Sequence, residues 1–246
     1  MIGKYVSQNP RRSLTSDLRP LTSGFTLLEL MVVTGIIAIL MVLVVPAFTN
    51  LKSAGDITDG AYTIKGVLDQ ARTYSMANNT YTWVGFAGSV GSSVTGKVSI
   101  AVIASNDGTR LSSDSTTSSP FVIGTGVGTA AQIGKLIQLQ NTHIGDTGVP
   151  TNDGTEFESR PAVNSAYRIS TAGNSLHQFT VQQATFKTWI QFSPRGEAIV
   201  NGGSTQTARY AEVGLLPTHG VALASTPNIV AIEVGGLEGG AKIYRR

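Results

Sequence analysis

The hydrophobic pattern begins with a long apolar stretch close to the N-terminus. The 22 residues from 30 to 51 carry no charge, and Glu29 is the only charged residue between Arg19 and Lys52. A helix over this stretch would rise about 1.5 Å per residue and reach roughly 33 Å, enough to cross the hydrocarbon core of a bilayer. We therefore predict the membrane half of a long helix over residues 25–51.

A second helical pattern follows directly. Apolar and small residues recur at alternating spacings of three and four, which marks one face of an amphipathic helix. This face consists of Ala54, Ile57, Ala61, Ile64, Leu68, Ala71 and Ser75. We predict that the same helix continues as an amphipathic half over 52–79 and ends at Asn78-Asn79. Because Pro46 lacks a backbone N–H and crowds the preceding turn, we also predict a kink there.

The period changes from 3.6 to 2 after the helix, and short runs rich in β-branched and aromatic residues indicate strands. The predicted strands are Thr80–Phe86, Lys97–Ile103, Lys135–Gln140, Tyr167–Ile169, His177–Gln182, Lys187–Phe192, Ala198–Val200, Arg209–Val213, Ile229–Val234 and Ala241–Tyr244. The clearest hairpin turn is Pro194-Arg195-Gly196. We predict an α+β fold, in which a long N-terminal stem helix (membrane half plus amphipathic half) packs on an antiparallel β-sheet domain over 80–246.

Charge is distributed unevenly along the chain, whose formal net charge is +3. Residues 1–24 hold four basic residues and one acid, so the remainder carries 14 basic and 14 acidic residues and is neutral. The basic N-terminal segment is therefore typical of a cytoplasmic topology signal by the positive-inside rule. It does not resemble a nucleic-acid-binding surface. The chain has no cysteine, which excludes disulfides and thiolate metal sites.

The segment Gly24-Phe25-Thr26-Leu27-Leu28-Glu29-Leu30, followed by an apolar helix, resembles the class III signal of the type IV pilin and type II secretion pseudopilin superfamily. The resemblance implies that a prepilin peptidase removes the leader 1–24 by cutting after Gly24 and methylates the new amine of Phe25. It makes Glu29 the fifth mature residue and the carboxylate used in assembly. Pro46 matches the proline that bends the family's stem helix.

The position of Glu29 also suggests a physical role. A carboxylate inside an apolar membrane helix is costly and is functional by default. Cleavage after Gly24 would create a cationic amine at Phe25, and four helical steps place Glu29 within about 6 Å of it along the axis. In a staggered assembly the carboxylate can pair with a neighbour's amine, and in a low-dielectric interior an unpaired charge is heavily penalised.

Three weaker motifs resemble the H-type minor pseudopilins and FimT-like minor pilins within that superfamily. They are Leu68–Asn79, the hairpin Trp189–Gly196 and the closing strand pair Ile229–Tyr244. The chain departs from the pattern at Ala241, where the family carries an arginine after the glycine. The segment 88–163 has no counterpart in the pattern.

From the resemblance we expect a structural subunit of a type IV pilus or a type II secretion pseudopilus. It would be a single-pass inner-membrane protein with its globular domain in the periplasm, and its partners would be prepilin peptidase, other pilin or pseudopilin subunits and membrane lipid. One alternative is a DNA-binding minor pilin, suggested by Lys242, Arg245 and Arg246. Others are an extracytoplasmic protein or enzyme tethered by an uncleaved anchor, and a secretory signal peptide cut after Ala47.

Motifs for catalysis or cofactor binding are not recognisable. The histidines, His143, His177 and His219, lack metal-ligand spacing, and a Gly-x-Ser-x-Gly nucleophile elbow does not occur. The glycine cluster Gly124–Gly128 lacks the spacing of a dinucleotide-binding loop. We therefore expect no enzyme activity, cofactor, metal or small-molecule substrate, and we consider nucleic acid an unlikely partner.

Overall fold

The structure is a computed structural model. It describes residues 24–110, 122–171, 178–200, 208–224 and 228–246, and of residues 43–54 it describes the backbone alone. Residues 1–23 of the predicted leader 1–24 therefore lie outside the described residues. The chain divides into two compact units, Met1–Pro46 and Ala47–Arg246.

Helix α1 spans Leu27–Ala77. It ends where Asn79 adopts a left-handed conformation with φ of 49°, and the Thr80 N–H donates to the Ser75 carbonyl at 3.0 Å. Asparagine tolerates this conformation better than most residues, so the predicted end of the helix is confirmed. The side chain of Pro46 lies outside the described residues, and the kink there stays a prediction.

In the second unit, α1 buries the face that the periodicity predicts. Buried residues on this face are Ile57, Ala61, Ile64, Val67, Leu68, Ala71 and Ser75. The apolar ones belong to one hydrophobic cluster with strand residues such as Val84, Phe86, Val213 and Ile232. The side chain of Ala54, also predicted on this face, lies outside the described residues.

The described strands range from 2 to 11 residues in length. They are β1 (Thr82–Gly88), β2 (Lys97–Ser105), β3 (Ala130–Gln140), β4 (Thr142–Ile144), β5 (Phe179–Val181), β6 (Ala184–Phe186), β7 (Thr188–Phe192), β8 (Ala198–Val200), β9 (Tyr210–His219), β10 (Ala222–Leu223), β11 (Val230–Gly235) and β12 (Ala241–Arg245). The first sheet has the order β3-β2-β1-β7-β8. The second has the order β10-β9-β11-β12, with β4 also paired to β9. All of these ladders are antiparallel, so the α+β class is confirmed.

Some strand predictions were wrong. The segment Tyr167–Ile169 was predicted as a strand, but its first residue is the last residue of a 3-10 helix, Ser165–Tyr167, and a turn follows. Its N-cap is Asn164, whose side chain accepts a hydrogen bond from the Ala166 N–H at 3.0 Å, a local contact that favours a turn over a strand. The pattern also missed β4, β6 and β10, which have only two or three residues and carry too little periodicity to detect.

The outer face of the first sheet is covered by the β5–β6 hairpin. Phe179 and Phe186 stack with their ring centroids 4.8 Å apart, and both are buried with Trp83 and Trp189 in a second hydrophobic cluster. The hairpin lies directly on the backbone of Gly85 in β1. A Cβ atom at Gly85 would lie 2.9 Å from Phe186 Cβ and would also overlap the Phe179 ring. A side chain at this position is therefore incompatible with the close packing.

We predict that Gly85→Ala destabilises the protein by about 1–3 kcal/mol, because the extra methyl group overpacks the interface between hairpin and sheet. The matched control is Gly66→Ala on α1, where an added Cβ has no atom within 4 Å. Since alanine favours a helix over glycine by up to about 1 kcal/mol, this variant should be more stable than wild type. Urea unfolding of the three proteins measures both effects, and equal stability of all three would contradict the packing argument.

Candidate functional site

The start of α1 has a defined cap. Residues 24–26 are not helical, and α1 begins at Leu27. The Thr26 side-chain Oγ1 accepts a hydrogen bond from the Glu29 N–H at 3.2 Å, and the Thr26 carbonyl accepts one from the Leu30 N–H at 3.2 Å. Thr26 is therefore the N-cap residue of the helix, and its hydroxyl satisfies one of the free amide groups of the first turn.

Glu29 lies in the first turn, three positions after the N-cap. Threonine at the N-cap with glutamate three residues later has the sequence pattern of a capping box. A carboxylate here is also stabilised by the positive end of the helix dipole. The helix therefore begins two residues after the predicted first mature residue, Phe25, and the peptide bond between Gly24 and Phe25 lies in the non-helical backbone before the cap.

The side chains of the first unit are exposed throughout the described range 24–42. They include large apolar groups such as Phe25, which is 80% exposed, and Leu27, which is 78% exposed. An apolar surface of this extent marks a site of contact with a membrane or another protein. Within the described residues, no helical stretch is both long and apolar enough to cross a membrane. The predicted membrane half includes residues 43–51, whose side chains lie outside the described part.

Residues 19–45 match the family model of the prokaryotic N-terminal methylation motif. The chain carries a prepilin-type N-terminus. The motif indicates a type IV pilin-like or pseudopilin precursor, and it implies processing by a prepilin peptidase and assembly with other pilin subunits. The matched range includes Gly24, Phe25 and Glu29 and ends one residue before Pro46. No curated protein and no solved structure matches the chain significantly.

A second group of polar residues lies on the outer face of the second sheet, beneath the segment 145–168, here called the covering segment. Glu212 in β9 lies at the centre of this polar group, and its side chain is buried with 1% exposure. One carboxylate oxygen, Oε2, accepts a hydrogen bond from Arg160 Nε at 3.3 Å. The other, Oε1, accepts one from Thr147 Oγ1 at 2.7 Å and lies 3.5 Å from Arg168 Nε. Two guanidinium groups therefore share one buried carboxylate.

Arg160 connects this carboxylate to the backbone of the covering segment. Its terminal nitrogens donate to the carbonyls of Phe157 at 2.9 Å, Gly148 at 2.7 Å and Thr147 at 3.2 Å. The guanidinium also lies 4.1 Å from the centroid of the Phe157 ring. These hydrogen bonds satisfy most of the guanidinium donors, and they offset the cost of removing the charge of Arg160 from water. The arrangement holds the covering segment against the sheet.

Glu233 in β11 is the residue directly opposite Glu212 in the ladder between β9 and β11. It is 3% exposed, and its Oε1 has no hydrogen-bond partner among the described residues. Burial raises the pKa of Glu233 to about 7, and the negative charge of Glu212 contributes in the same direction. Arg160 and Lys242 oppose this pKa shift without cancelling it.

The hydrophobic pattern of the sequence does not reveal this network. Two residues in the predicted strands nevertheless indicate buried polar contacts. Glu212 and Glu233 each stand alone as charged residues within an apolar run, and a lone charge in a buried strand requires a partner. The identity of the partners depends on the path of the covering segment, which periodicity does not predict.

Two of the three histidines lie within the described residues, and they differ in environment. His219 is exposed, whereas His143 in β4 is buried and its Nδ1 lies 3.0 Å from Ser89 Oγ. The Ser89 hydroxyl already accepts hydrogen bonds from the Thr95 and Gly96 N–H groups, so it donates to His143, which is then neutral. Burial lowers the pKa of His143, in agreement with this assignment. His177 lies outside the described residues.

The buried pair of Ser89 and His143 has no access to a substrate, since Ser89 is fully buried and His143 is 3% exposed. Its hydrogen bonds organise the turn after β1, which is a structural role. In the described part of the chain, no three His, Asp or Glu side chains are grouped as ligands for a metal ion.

The basic C-terminal residues do not form one surface. Lys242 and Arg245 are three positions apart in β12, and side chains of odd separation project from opposite faces of a strand. The Lys242 ammonium lies 4.4 Å from the centroid of the Tyr244 ring. Arg246 lies 3.8 Å from Glu158, so its charge is partly neutralised. The clustered basic patch that phosphate binding requires is not formed by these three residues.

We predict that Arg160→Met destabilises the protein by about 3–5 kcal/mol, because it removes the main partner of a buried carboxylate and frees three backbone carbonyls. Arg195→Met is the matched control, since Arg195 is an exposed arginine in the turn between β7 and β8. That surface substitution should change stability by no more than about 0.5 kcal/mol. Urea unfolding compares the two variants, and similar effects of both would show that the buried network contributes little.

Proposed function

We propose that the chain is a minor pilin or pseudopilin, a structural subunit that is inserted in the inner membrane and assembled into a type IV pilus or a type II secretion pseudopilus. The observation that carries this proposal is the match of residues 19–45 to the methylation motif. The subunit would be a single-pass protein with its globular domain outside the cytoplasm. It would act through assembly with other subunits and would not act as an enzyme.

The geometry of the N-terminus supports cleavage between Gly24 and Phe25. Both residues are exposed, and both precede the Thr26 cap. A peptide bond outside the helix is free to enter a peptidase in an extended form, whereas helical backbone would first have to unwind. Gly24 also presents no side chain to obstruct the enzyme.

The same geometry supports pairing of Glu29 with an N-terminal amine. After cleavage, the amine of Phe25 would lie directly outside the cap, and the carboxylate of Glu29 would lie in the first turn. Glu29 forms no ion pair with any of the described residues. In an apolar assembly, a carboxylate of one subunit and an amine of the next would neutralise each other.

We further propose that α1 serves as one stem, with a membrane half over 25–51 and an amphipathic half over 52–79 that packs on the sheets. The buried cluster shared by Ile64, Leu68 and the strands supports the second half of this arrangement. The hairpin between β7 and β8, with its turn at Pro194–Gly196, supports assignment to the H-type branch. No observation on the described residues favours the DNA-binding alternative.

The first prediction from this function concerns processing. Intact-mass analysis of the protein extracted from membranes should give a chain that starts at a methylated Phe25. Gly24→Val should leave a full-length precursor, because the branched side chain obstructs the cleavage site. Gly35→Val, which changes a glycine within the helix, serves as the control and should still be cut. A mature N-terminus at Phe48 would instead support the secretory signal peptide.

The second prediction concerns assembly. Glu29→Ala should be cut and should reside in the membrane at the normal level, because removing a charge favours insertion. It should be missing from sheared filaments, since an unpaired amine in the filament core costs about 3–5 kcal/mol. Asp59→Ala removes an exposed carboxylate from the second unit and should assemble normally. Normal incorporation of Glu29→Ala would contradict the pairing of Glu29 with an amine. The proposed cleavage after Gly24 would still stand.

A further inference from the structure

The outer face of the second sheet places two carboxyl groups side by side under the covering segment. Glu212 and Glu233 are directly opposed in the ladder, so both side chains project from the same face. Gly214, two residues along β9, allows the covering segment to approach, because an added Cβ there would overlap Gly145 and Thr147. The Gly145 N–H donates to the Gly214 carbonyl at 3.1 Å. The carboxyl groups are therefore enclosed between the sheet and the covering segment.

Glu233 takes part in none of the ion pairs formed by the described residues around it. Three guanidinium groups, those of Arg160, Arg168 and Arg246, form ion pairs with three carboxylates, those of Glu212, Glu158 and Asp146. An ionised Glu233 would add a second buried negative charge beside Glu212, without an ion pair of its own among the described residues. A buried charge without a partner is strongly disfavoured, whereas a neutral carboxyl group is tolerated.

The remaining neighbours among the described residues form no ion pair with Glu233. Lys242 in β12 is directly opposite Glu233, but its ammonium lies over the Tyr244 ring at 4.4 Å. His143 in β4 is opposite Leu216, on the same face of the sheet as Glu212, and the hydrogen bond from Ser89 keeps it neutral. The charged groups on β4, β9, β12 and the covering segment therefore leave Glu233 without a cation of its own.

We propose that a proton on Glu233 holds the covering segment closed over the second sheet, so that this segment opens in response to rising pH. With Glu233 neutral, Glu212 keeps its ion pairs with Arg160 and Arg168 without a second negative charge beside it, and the segment remains bound. When Glu233 loses its proton, two adjacent carboxylates repel each other beneath the segment. Opening admits water to both of them and relieves the repulsion. This pH-dependent closure is independent of the assembly function proposed above.

The pH range follows from the two states. In the open state, Glu233 is hydrated and titrates at its ordinary pKa of about 4.5, whereas in the closed state burial raises its pKa to about 7. The open state therefore binds fewer protons between these two values, and opening becomes more favourable as the pH rises. Between pH 6 and pH 8, the equilibrium constant for opening should increase about tenfold.

Hydrogen exchange of the full chain in detergent micelles tests this proposal. The reporters are the N–H groups of Gly145, Asn152 and Ser159, each of which lies in the covering segment and donates a backbone hydrogen bond. After correction for the intrinsic pH dependence of exchange, their protection in wild type should be about tenfold lower at pH 8 than at pH 6. Protection of β1 and β2 should not change, which separates local opening from global unfolding.

The matched variants are Glu233→Gln, which is neutral at both pH values, and Glu156→Gln, which changes an exposed glutamate of the covering segment. Glu233→Gln should show the same protection at pH 6 and pH 8, whereas Glu156→Gln should behave as wild type. If Glu233→Gln does not fold, Glu233→Met provides a neutral side chain of similar length with the same expected result. Equal protection of wild type at both pH values would overturn the proposal, and so would a tenfold loss in either neutral variant.

Discussion

The second unit depends on the burial of one face of α1. Ile57, Ile64 and Leu68 are fully buried, and they belong to the cluster that contains the inward-facing residues of both sheets. The Thr82 side chain also donates to the Ala71 carbonyl at 3.0 Å, which connects the last turns of the helix to β1. Because the chain has no cysteine, no disulfide supports this arrangement, and the hydrophobic contacts of the helix carry most of the driving force.

The two sheets cover their outer faces by different means. The first sheet is covered by a small hairpin whose contacts are aromatic, and Gly85 permits the approach. The second sheet is covered by a segment that is attached through Arg160 and Glu212. Apolar contacts are insensitive to protonation, whereas a network of buried charges responds to the ionisation of each member. The attachment of the covering segment to the second sheet is therefore more sensitive to pH than the attachment of the hairpin to the first sheet.

The elements that could be predicted from the sequence are those determined by local pattern. The buried face of α1 follows a regular spacing of three and four, and Asn79 marks its end with a conformation that few residues tolerate. The hairpin at Pro194–Gly196 was also found, because its turn residues have strong conformational preferences. At the N-terminus, the run from Gly24 to Glu29 was recognisable for the same reason, since its motif occupies consecutive residues.

The parts that could not be predicted depend on contacts between distant residues. Arg160 and Glu212 are 52 positions apart, and no local pattern relates them. Similarly, Glu212 and Glu233 become neighbours only through the register of β9 and β11. The two short strands β4 and β10 were missed because each is stabilised by pairing with β9 and carries little pattern of its own.

Three acidic residues, Glu29, Glu212 and Glu233, pose the same physical problem in different parts of the chain. Each is a single charge within an apolar run, and each requires a way to avoid an unpaired charge in an apolar environment. Glu212 has its partners within the chain, in Arg160 and Arg168. Glu233 has no cation of its own and can avoid the charge by retaining a proton. Glu29 has neither in the described residues, since it is exposed at the start of α1. We propose that its partner is the amine that cleavage would create at Phe25 of a neighbouring subunit, which would make the N-terminus a site of assembly.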